Sequence, residues 1–173
     1  FNKEAKETSL FGVLDSSGKV LRSNDDGVVN VPKNSIAQVN VQGEIIKYGD
    51  YCIYGADDIV EALDRAQDNP NIDATILRLE GPGGSVPAID MFREFRRRKT
   101  KPIVGLVSQA LSLHYWIAVL LCDYIISDGD VSPMFGSIGV KCSYLDRKKQ
   151  LEMLGIEQID INAPESEHKN LPF

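Results

Sequence analysis

The sequence lacks two features that define large classes of protein. It contains no run of about 18 apolar residues, the length typical of a helix that spans a membrane. It also lacks an excess of positive charge, since 25 acidic residues outnumber 19 basic ones and the net charge is -6. Phosphate-binding proteins need a basic face, and the one basic run, 93–101, is interpreted as the solvated end of a helix. We therefore expect no membrane span in this fragment and no nucleic acid among its partners.

The sequence is also poor in cysteine. Its three cysteines, Cys52, Cys122 and Cys142, are an odd number without metal-ligand spacing or a paired framework. This usage favours a reducing compartment and structural thiols. We therefore expect a cytoplasmic protein without a metal, and no organic cofactor is indicated.

The length of 173 residues suits one domain with a substantial core. Because the chain begins with Phe1 rather than Met and ends abruptly at Phe173, we expect a fragment or a processed product, which could have lost any targeting segment. Residues 1–33 are interpreted as an N-terminal extension or arm, with a hairpin pattern over 10–21. The sequence is equally compatible with an arm that contacts a neighbouring subunit and with a mobile N-terminal extension. Residues 34–173 are interpreted as the core, truncated at its C-terminal end.

Apolar periodicity in the core predicts strands alternating with helices. Asn69–Asn71 is expected to end the first helix. The helix that follows Ser112 is expected to be buried, with Leu113, Trp116, Ile117 and Leu120 at helical spacing. The order of strand, helix and strand implies a parallel sheet, and therefore an α/β fold. The predicted strands are 35–43, 72–79, 103–107, 122–127 and 156–161, with a loop at 132–140 running into a small-residue strand, and the predicted helices are 56–68, 87–98, 113–121 and 148–154.

Ser112 lies where the strand 103–107 gives way to the helix 113–121. A serine at the start of a helix is close to unpaired backbone N–H groups and to the positive end of the helix dipole. Such a position can stabilise an oxyanion. Serine is also a favoured N-cap, so a purely structural role for Ser112 stays open.

A glycine-rich turn, Glu80–Val86, follows the strand 72–79. Its glycines permit positive φ angles and close approach of a substrate backbone, and its successive N–H groups can bind an anion. The sequence contains neither the Gly-Lys-Ser/Thr of a phosphate-binding loop nor a dinucleotide-binding Gly-x-Gly-x-x-Gly. A turn without function is the alternative.

Four segments of the sequence form an ordered set of motifs. They are Gly81–Val86, Lys101–Val104 leading into Ala110–Ala118, Cys122–Ile125 and Gly136–Val140. Together they resemble the signal peptide peptidase A family of serine peptidases, which includes phage head-maturation proteases, and the pair Tyr115–Trp116 is most similar to the phage branch. The resemblance covers roughly 35–173 and implies the Clp protease/crotonase type of fold, with repeated strand–helix units around a mainly parallel sheet.

The resemblance implies a serine endopeptidase with a Ser–Lys dyad that works through an acyl-enzyme. Ser112 matches the nucleophile, and Lys169, within the loosely matching Glu167–Asn170, matches the base. Lysine can accept the serine proton only as the neutral amine, so the pKa of Lys169 must be depressed by burial or by a cationic neighbour. The alternative for Lys169 is a solvated charge in the tail.

The implied oxyanion donors are the N–H groups of Gly84 and Leu113. The substrate, a protein or peptide, is expected to bind as an extended strand beside Gly83, with Ser85 and Leu111 also contacting it. In the phage branch the substrates would be capsid or scaffold proteins and the location the prohead. The family further implies a homo-oligomer.

The sequence departs from the family pattern in two places, directly after Ser112 and in the glycine-rich turn. Leu113 and His114 replace small residues, and Gly81 replaces a small polar residue before Pro-Gly-Gly. His114 is excluded as a base for Ser112, since residues two apart on a helix do not face each other. A catalytically inactive oligomeric scaffold of the same fold is the main alternative function, and a crotonase-like acyl-CoA enzyme is a minor one.

Overall fold

The computed structural model describes residues 9–21, 30–129, 132–157 and 159. Lys169 and most of the tail thus lie outside the described residues. The chain divides into two units, Phe1–Val140 and Lys141–Phe173. All of the strands described below belong to the first unit.

The first unit is built on a seven-stranded sheet. Its strands are β1 (Phe11–Leu14), β2 (Val20–Leu21), β3 (Ser35–Gln42), β4 (Ile72–Gly81), β5 (Ile103–Leu111), β6 (Tyr124–Ser127) and β7 (Met134–Gly136). Their order is β2-β1-β3-β4-β5-β6, with β7 pairing with the far end of β5. The pairs β3–β4, β4–β5, β5–β6 and β5–β7 are parallel, and the β1–β2 hairpin joins β3 antiparallel. The sheet is therefore mainly parallel, as the alternation of elements predicts, and the hairpin belongs to it.

Three helices connect the parallel strands. They are α1 (Ala56–Asp68) between β3 and β4, α2 (Ile89–Arg98) between β4 and β5, and α3 (Leu113–Leu121) between β5 and β6; a 3-10 turn at Val86–Ala88 precedes α2. Helix α2 packs against both α1 and α3. Among the described residues, no helix is long and apolar enough to cross a bilayer.

The core lies between these helices and the sheet. In β3 the inward positions Ala37, Val39 and Val41 are almost fully buried, as the alternation predicts. Helix α2 contributes Ile89, Phe92 and Phe95, all buried as expected. Removing such side chains from water is the main favourable term in folding, at roughly 25 cal/mol per Å² of apolar surface.

Two predictions about the strand and helix around Ser112 are wrong. Strand β5 continues to Leu111 rather than ending at 107, because β4 pairs with Gln109 and Ala110 on one side and β7 pairs with 109–111 on the other. Trp116 is 49% exposed. The buried stripe of α3 runs through Leu113, His114, Ile117, Ala118 and Leu121. Its centre is rotated by roughly 80° from that of the expected face, with which it shares Leu113 and Ile117.

Other boundaries also differ from the sequence prediction. Cys122 is the C-cap of α3, so β6 begins at Tyr124, and residues 137–140 form no strand after β7. Of the predicted final strand 156–161, the described residues 156, 157 and 159 are not in a strand, and the others lie outside the described part.

The second unit contains helix α4 (Lys148–Met153). It ends in a Schellman motif: Gly155 has a φ of 71°, its N–H donates to Glu152, and the Ile156 N–H donates to Leu151. The glycine stop at 155 therefore behaves as the sequence predicts.

Candidate active site

Ser112 is the single residue between the end of β5 and the first residue of α3. Its backbone has a φ of 53° and a ψ of -115°, a region that residues with side chains rarely occupy. Such a conformation costs on the order of 1–3 kcal/mol and persists only where surrounding contacts impose it. The Ser112 N–H donates to the Gly136 carbonyl at 2.7 Å, and the Ser112 carbonyl accepts from Trp116 as α3 begins. The turn is thus held from both sides.

The Ser112 side chain does not cap the helix. It makes no capping hydrogen bond, although Ser112 occupies the N-cap position. The purely structural explanation, in which the hydroxyl satisfies the first turn of α3, is therefore wrong. A half-buried serine at a sharp, strained strand-to-helix turn is the arrangement that presents nucleophilic serines in hydrolases.

The glycine-rich turn lies directly against Ser112. Gly83 has a φ of 121°, and a Cβ placed on it would lie 2.7 Å from the Ser112 Cβ and 3.1 Å from its Oγ. The same Cβ would lie 3.2 Å from the Leu111 carbonyl oxygen. Only glycine fits here, for reasons of both conformation and space. The structure therefore brings together Gly83, Leu111 and Ser112.

The turn is fixed on its other side by Ile45. The Ile45 N–H donates to Gly83 at 3.0 Å, and the Ser85 N–H donates to Ile45 at 2.8 Å, forming a short parallel bridge centred on Gly84. A Cβ on Gly84 would lie 2.1 Å from the Ile45 oxygen, so this contact also requires glycine. The bridge does not use the Gly84 N–H.

Gly84 and Leu113, the two residues predicted to donate to an oxyanion, flank this site. Neither backbone N–H donates a hydrogen bond to another described residue. The Leu113 N–H is in the first turn of α3, where N–H groups have no partner within the helix. Both remain available to an acceptor, and their role stays a prediction.

The side chains of Leu113 and His114 point into the core. Leu113 is 4% exposed and packs in the main apolar cluster, and His114 is fully buried. Neither side chain is in a position to fill the space in front of Ser112. The large residues after Ser112 therefore do not close the space in front of it.

His114 is a functional candidate that the sequence reasoning missed. The Gly83 N–H donates to its Nδ1 at 3.1 Å, and its Nε2 is buried without a partner among the described residues. Burial lowers the pKa of His114 to about 4, so the imidazole is neutral at neutral pH. One signal was available in the sequence, a histidine at a position where the resembling family has small residues. The contact with a turn 31 positions away could not be inferred from it.

A cleft of about 330 Å³ lies at the carboxyl end of β3. Its wall includes Ile45, the residue that anchors the glycine-rich turn. The other apolar residues lining it are Val41, Ile53, Tyr54 and Ile59, and polar groups come from Asn40, Gln42, Glu44 and Cys52. A larger concavity of about 1020 Å³ surrounds α4 in the second unit and contains none of the predicted site residues.

The predicted base, Lys169, lies outside the described residues, so the Ser–Lys pairing stays a prediction. The described residues also contain no group of three or more His, Cys, Asp and Glu side chains arranged to hold a metal ion. Within the described part, the site thus consists of Ser112, the two unused N–H groups and the glycine-rich turn.

Comparisons with known proteins come from sequence and from structure. No family model matches the chain. Its sequence is 36% identical over 141 residues to Protease 4 of Haemophilus influenzae, a match that covers 79% of this chain and 22% of that protein. The chain thus spans about a fifth of the length of this relative.

Among solved structures, an enoyl-CoA hydratase from Polaromonas sp. JS666 matches with a TM-score of 0.38 and 14% identity, over 57% of this chain and 46% of that one. A TM-score this low carries no argument about function. Neither comparison supports the phage branch, which stays a prediction. By sequence, the chain is a homologue of Protease 4.

Proposed function

We propose that the chain is a serine peptidase of the signal peptide peptidase A family, with Ser112 as the nucleophile. The observation that carries the proposal is the strained backbone of Ser112, whose uncapped hydroxyl would lie 3.1 Å from a Cβ placed on Gly83. The homology with Protease 4 and the order of the motifs support the same conclusion.

In this proposal an extended peptide lies beside the glycine-rich turn, near Ser85 and Leu111. Its scissile carbonyl oxygen points between the N–H groups of Gly84 and Leu113. Ser112 Oγ attacks the carbonyl carbon and loses its proton to a base, and the two N–H groups stabilise the negative oxygen that forms. The intermediate expels the amine, which takes the proton from the base. Water then repeats the sequence on the ester and releases Ser112.

Lys169 is the proposed base. It must approach Ser112 as a neutral amine, which requires a pKa far below that of a solvated lysine. The amine would take the Ser112 proton and return it to the leaving group. His114 is unsuited to this role, because its Nδ1 is occupied by the Gly83 N–H.

The cleft at the end of β3 is proposed as a subsite for an apolar substrate side chain. Its wall includes Ile45, whose backbone pairs with the turn on which the substrate is expected to lie.

The proposal also covers assembly and location. The protein is proposed to be a homo-oligomer in the cytoplasm or, if it is a phage-type enzyme, a prohead protease acting on capsid or scaffold proteins. The inactive-scaffold alternative has lost the feature that favoured it, since Leu113 and His114 are buried away from Ser112.

The proposal is tested with a fluorophosphonate probe for activated serines, followed by peptide mapping. We expect labelling of wild type at Ser112, with a rate that rises with pH as the base loses its proton. Labelling should disappear in Ser112→Ala and fall at least about 100-fold in Lys169→Ala, since a positioned base contributes roughly 10²–10⁴-fold.

Ser137→Ala is the matched control, because Ser137 is also a serine with a positive φ, 54°. It should label like wild type. Labelling that survives Ser112→Ala, or a wild-type protein that does not label at any pH, would reject a Ser112 peptidase. A probe reaction that is lost in Ser112→Ala but unchanged in Lys169→Ala would reject only the dyad.

A further inference from the structure

The buried imidazole of His114 lies directly beneath the glycine-rich turn. Its Nδ1 accepts the Gly83 N–H at 3.1 Å, the only hydrogen bond that the described residues make to this side chain. The bond joins the start of α3 to the loop after β4. It links the residue two positions after Ser112 to the residue before Gly84.

The same ring also sets the position of Gly81. A Cβ on Gly81 would lie 2.3 Å from His114 Nε2 and 2.4 Å from its Cε1. The imidazole therefore occupies the space that a side chain at position 81 would need. It contacts the turn at both Gly81 and Gly83, and the contact at Gly81 depends on a residue without a side chain.

Stability alone does not account for a histidine here. Because Nδ1 accepts a hydrogen bond, the neutral ring carries its proton on Nε2. That N–H is buried without a partner among the described residues. An unpaired buried donor is unfavourable, and an apolar side chain of similar size would avoid it. The feature that an apolar residue could not supply is the acceptor for the Gly83 N–H.

We propose that His114 is a positioning residue for the oxyanion-binding turn. By accepting the Gly83 N–H, it fixes the Pro82–Gly83 peptide with its N–H directed inward, and this leaves the next N–H, that of Gly84, for the substrate. His114 acts through the turn and touches neither the substrate nor Ser112 Oγ. The inference rests on the proposed function, in which Gly84 donates to the oxyanion.

The test compares variants that keep or lose an acceptor at the position of Nδ1. In His114→Asn, Oδ1 branches from the same Cγ as Nδ1 and can accept the Gly83 N–H. In His114→Gln the polar atoms lie one bond further out, near the position of Nε2, and His114→Leu has no acceptor. The rate of fluorophosphonate labelling is measured against probe concentration, which separates the maximal rate constant from probe affinity.

We expect His114→Gln and His114→Leu to lower the maximal rate constant roughly 10- to 100-fold with little change in probe affinity. Loss of one oxyanion donor costs about 10²–10³-fold, and here the donor is misplaced rather than removed. His114→Asn should stay within a few-fold of wild type. Thermal unfolding of Asn and Gln variants, matched in size and polarity, checks that folding does not explain the difference.

A second measurement, nitrogen NMR of the imidazoles, does not depend on activity. The chain has only two histidines, His114 and His168, so the His114→Asn variant assigns both signals. We expect His114 to be the Nε2–H tautomer and to stay neutral down to a pH near its lowered pKa of about 4. An Nδ1–H tautomer would show that the Gly83 bond is absent and would overturn the inference.

The kinetic outcomes separate the two proposals. If wild type labels at Ser112 and His114→Gln labels equally fast, the positioning role is wrong and the peptidase proposal stands. If wild type does not label, the peptidase proposal fails, and the positioning role that rests on it fails too. If Asn and Gln variants are slowed alike while both remain folded, the acceptor at Nδ1 is not what matters, and the inference is overturned.

Discussion

At the scale of single residues, the site depends on the absence of a side chain at Gly83. A Cβ at this position would lie 2.7 Å from the Ser112 Cβ, and the φ of 121° would be strained in any residue other than glycine. Ser112 has an unfavourable φ of its own. A strained Ser112 in contact with a glycine indicates that the surrounding hydrogen bonds, to Gly136 and Ile45, hold the site in place.

Gly83→Ala should therefore impair both the site and the fold. We expect a loss of about 1–3 kcal/mol in the free energy of unfolding, from the strained φ and the contact with Ser112. Labelling of Ser112 should fall roughly 100-fold, the cost of displacing a reacting group by about 1 Å. Urea unfolding and probe kinetics measure the two effects.

Gly12→Ala is the control for this substitution. Gly12 lies in β1, its φ is not positive, and a Cβ there would meet nothing within 4 Å. It should label like wild type. Labelling of Gly83→Ala at the wild-type rate would contradict the close contact described here.

At the scale of elements, one ion pair ties together the ends of α2 and α3 and the start of β5. The Lys99 Nζ donates to both carboxylate oxygens of Asp123, at 2.8 and 2.6 Å, and the Ile103 N–H donates to the same carboxylate at 2.8 Å. The pKa of Asp123 is lowered, chiefly by the hydrogen bond from Lys99. Strand β5, which leads to Ser112, is thus anchored at its first residue.

Asp123→Asn should lower the free energy of unfolding by about 1–2 kcal/mol. The Lys99 side chain is only 7% exposed and would lose its charged partner. Leaving a buried polar group without its partner usually costs about 1–3 kcal/mol. We expect the lower part of that range because the Asp123 side chain is 40% exposed and therefore partly solvated. Urea unfolding at pH 7 measures the change.

Asp90→Asn is the control, because it removes the negative charge from an ion pair on the surface. The side chain of Asp90 is 74% exposed and that of its partner Arg93 is 56% exposed. The effect of this substitution should stay below about 0.5 kcal/mol. Equal changes in the free energy of unfolding would show that the Lys99–Asp123 pair stabilises the fold no more than an exposed surface pair does.

The elements themselves were predictable where one local pattern dominates. Helix α1 occupies 56–68 as predicted, because its apolar stripe, its acidic first turn and the Asn69–Asn71 stop all agree. The face of α3 was not predictable: nearly every side chain in it is apolar, so the pattern does not select the buried side, and Trp116 was placed wrongly. The extension of β5 was missed because it depends on pairing with β7, more than 20 residues further along the chain.

Some features of the candidate site could likewise be predicted from the sequence, and others could not. Ser112 and the glycine-rich turn follow from the order of motifs in the sequence. The φ of Ser112, the bridge to Ile45 and the bond between Gly83 and His114 do not, because each depends on contacts between segments distant in sequence. Lys169 was proposed from a loose motif and stays a prediction.

At the scale of the whole molecule, His114 should make stability depend on pH. Its folded-state pKa of about 4 lies below the ordinary value of 6.5, so the unfolded chain binds the proton first as pH falls. Its contribution is therefore fully present above pH 6.5 and is lost as pH falls toward 4. The difference of about 2.5 units corresponds to a loss of about 3 kcal/mol across that window.

Urea unfolding of wild type and His114→Asn at pH 7 and pH 4.5 measures this contribution. Other groups titrate in both proteins, so the prediction concerns the difference between them. Wild type should lose about 2–3 kcal/mol more than the variant, which has no imidazole at this position. Parallel losses would show that His114 titrates normally and is not buried as described.

The contact between the glycine-rich turn and the start of α3 also has a consequence for biosynthesis. The hydrogen bond between Gly83 and His114 joins two segments that the parallel pairing of β4 with β5 brings together, and α2 lies between those strands in the sequence. Such long-range pairing closes late in folding. A nascent or partly unfolded chain consequently has a serine but no assembled oxyanion turn. On the proposed function, hydrolytic power is acquired only with the finished fold, which protects the emerging polypeptide and its neighbours on the ribosome from premature cleavage.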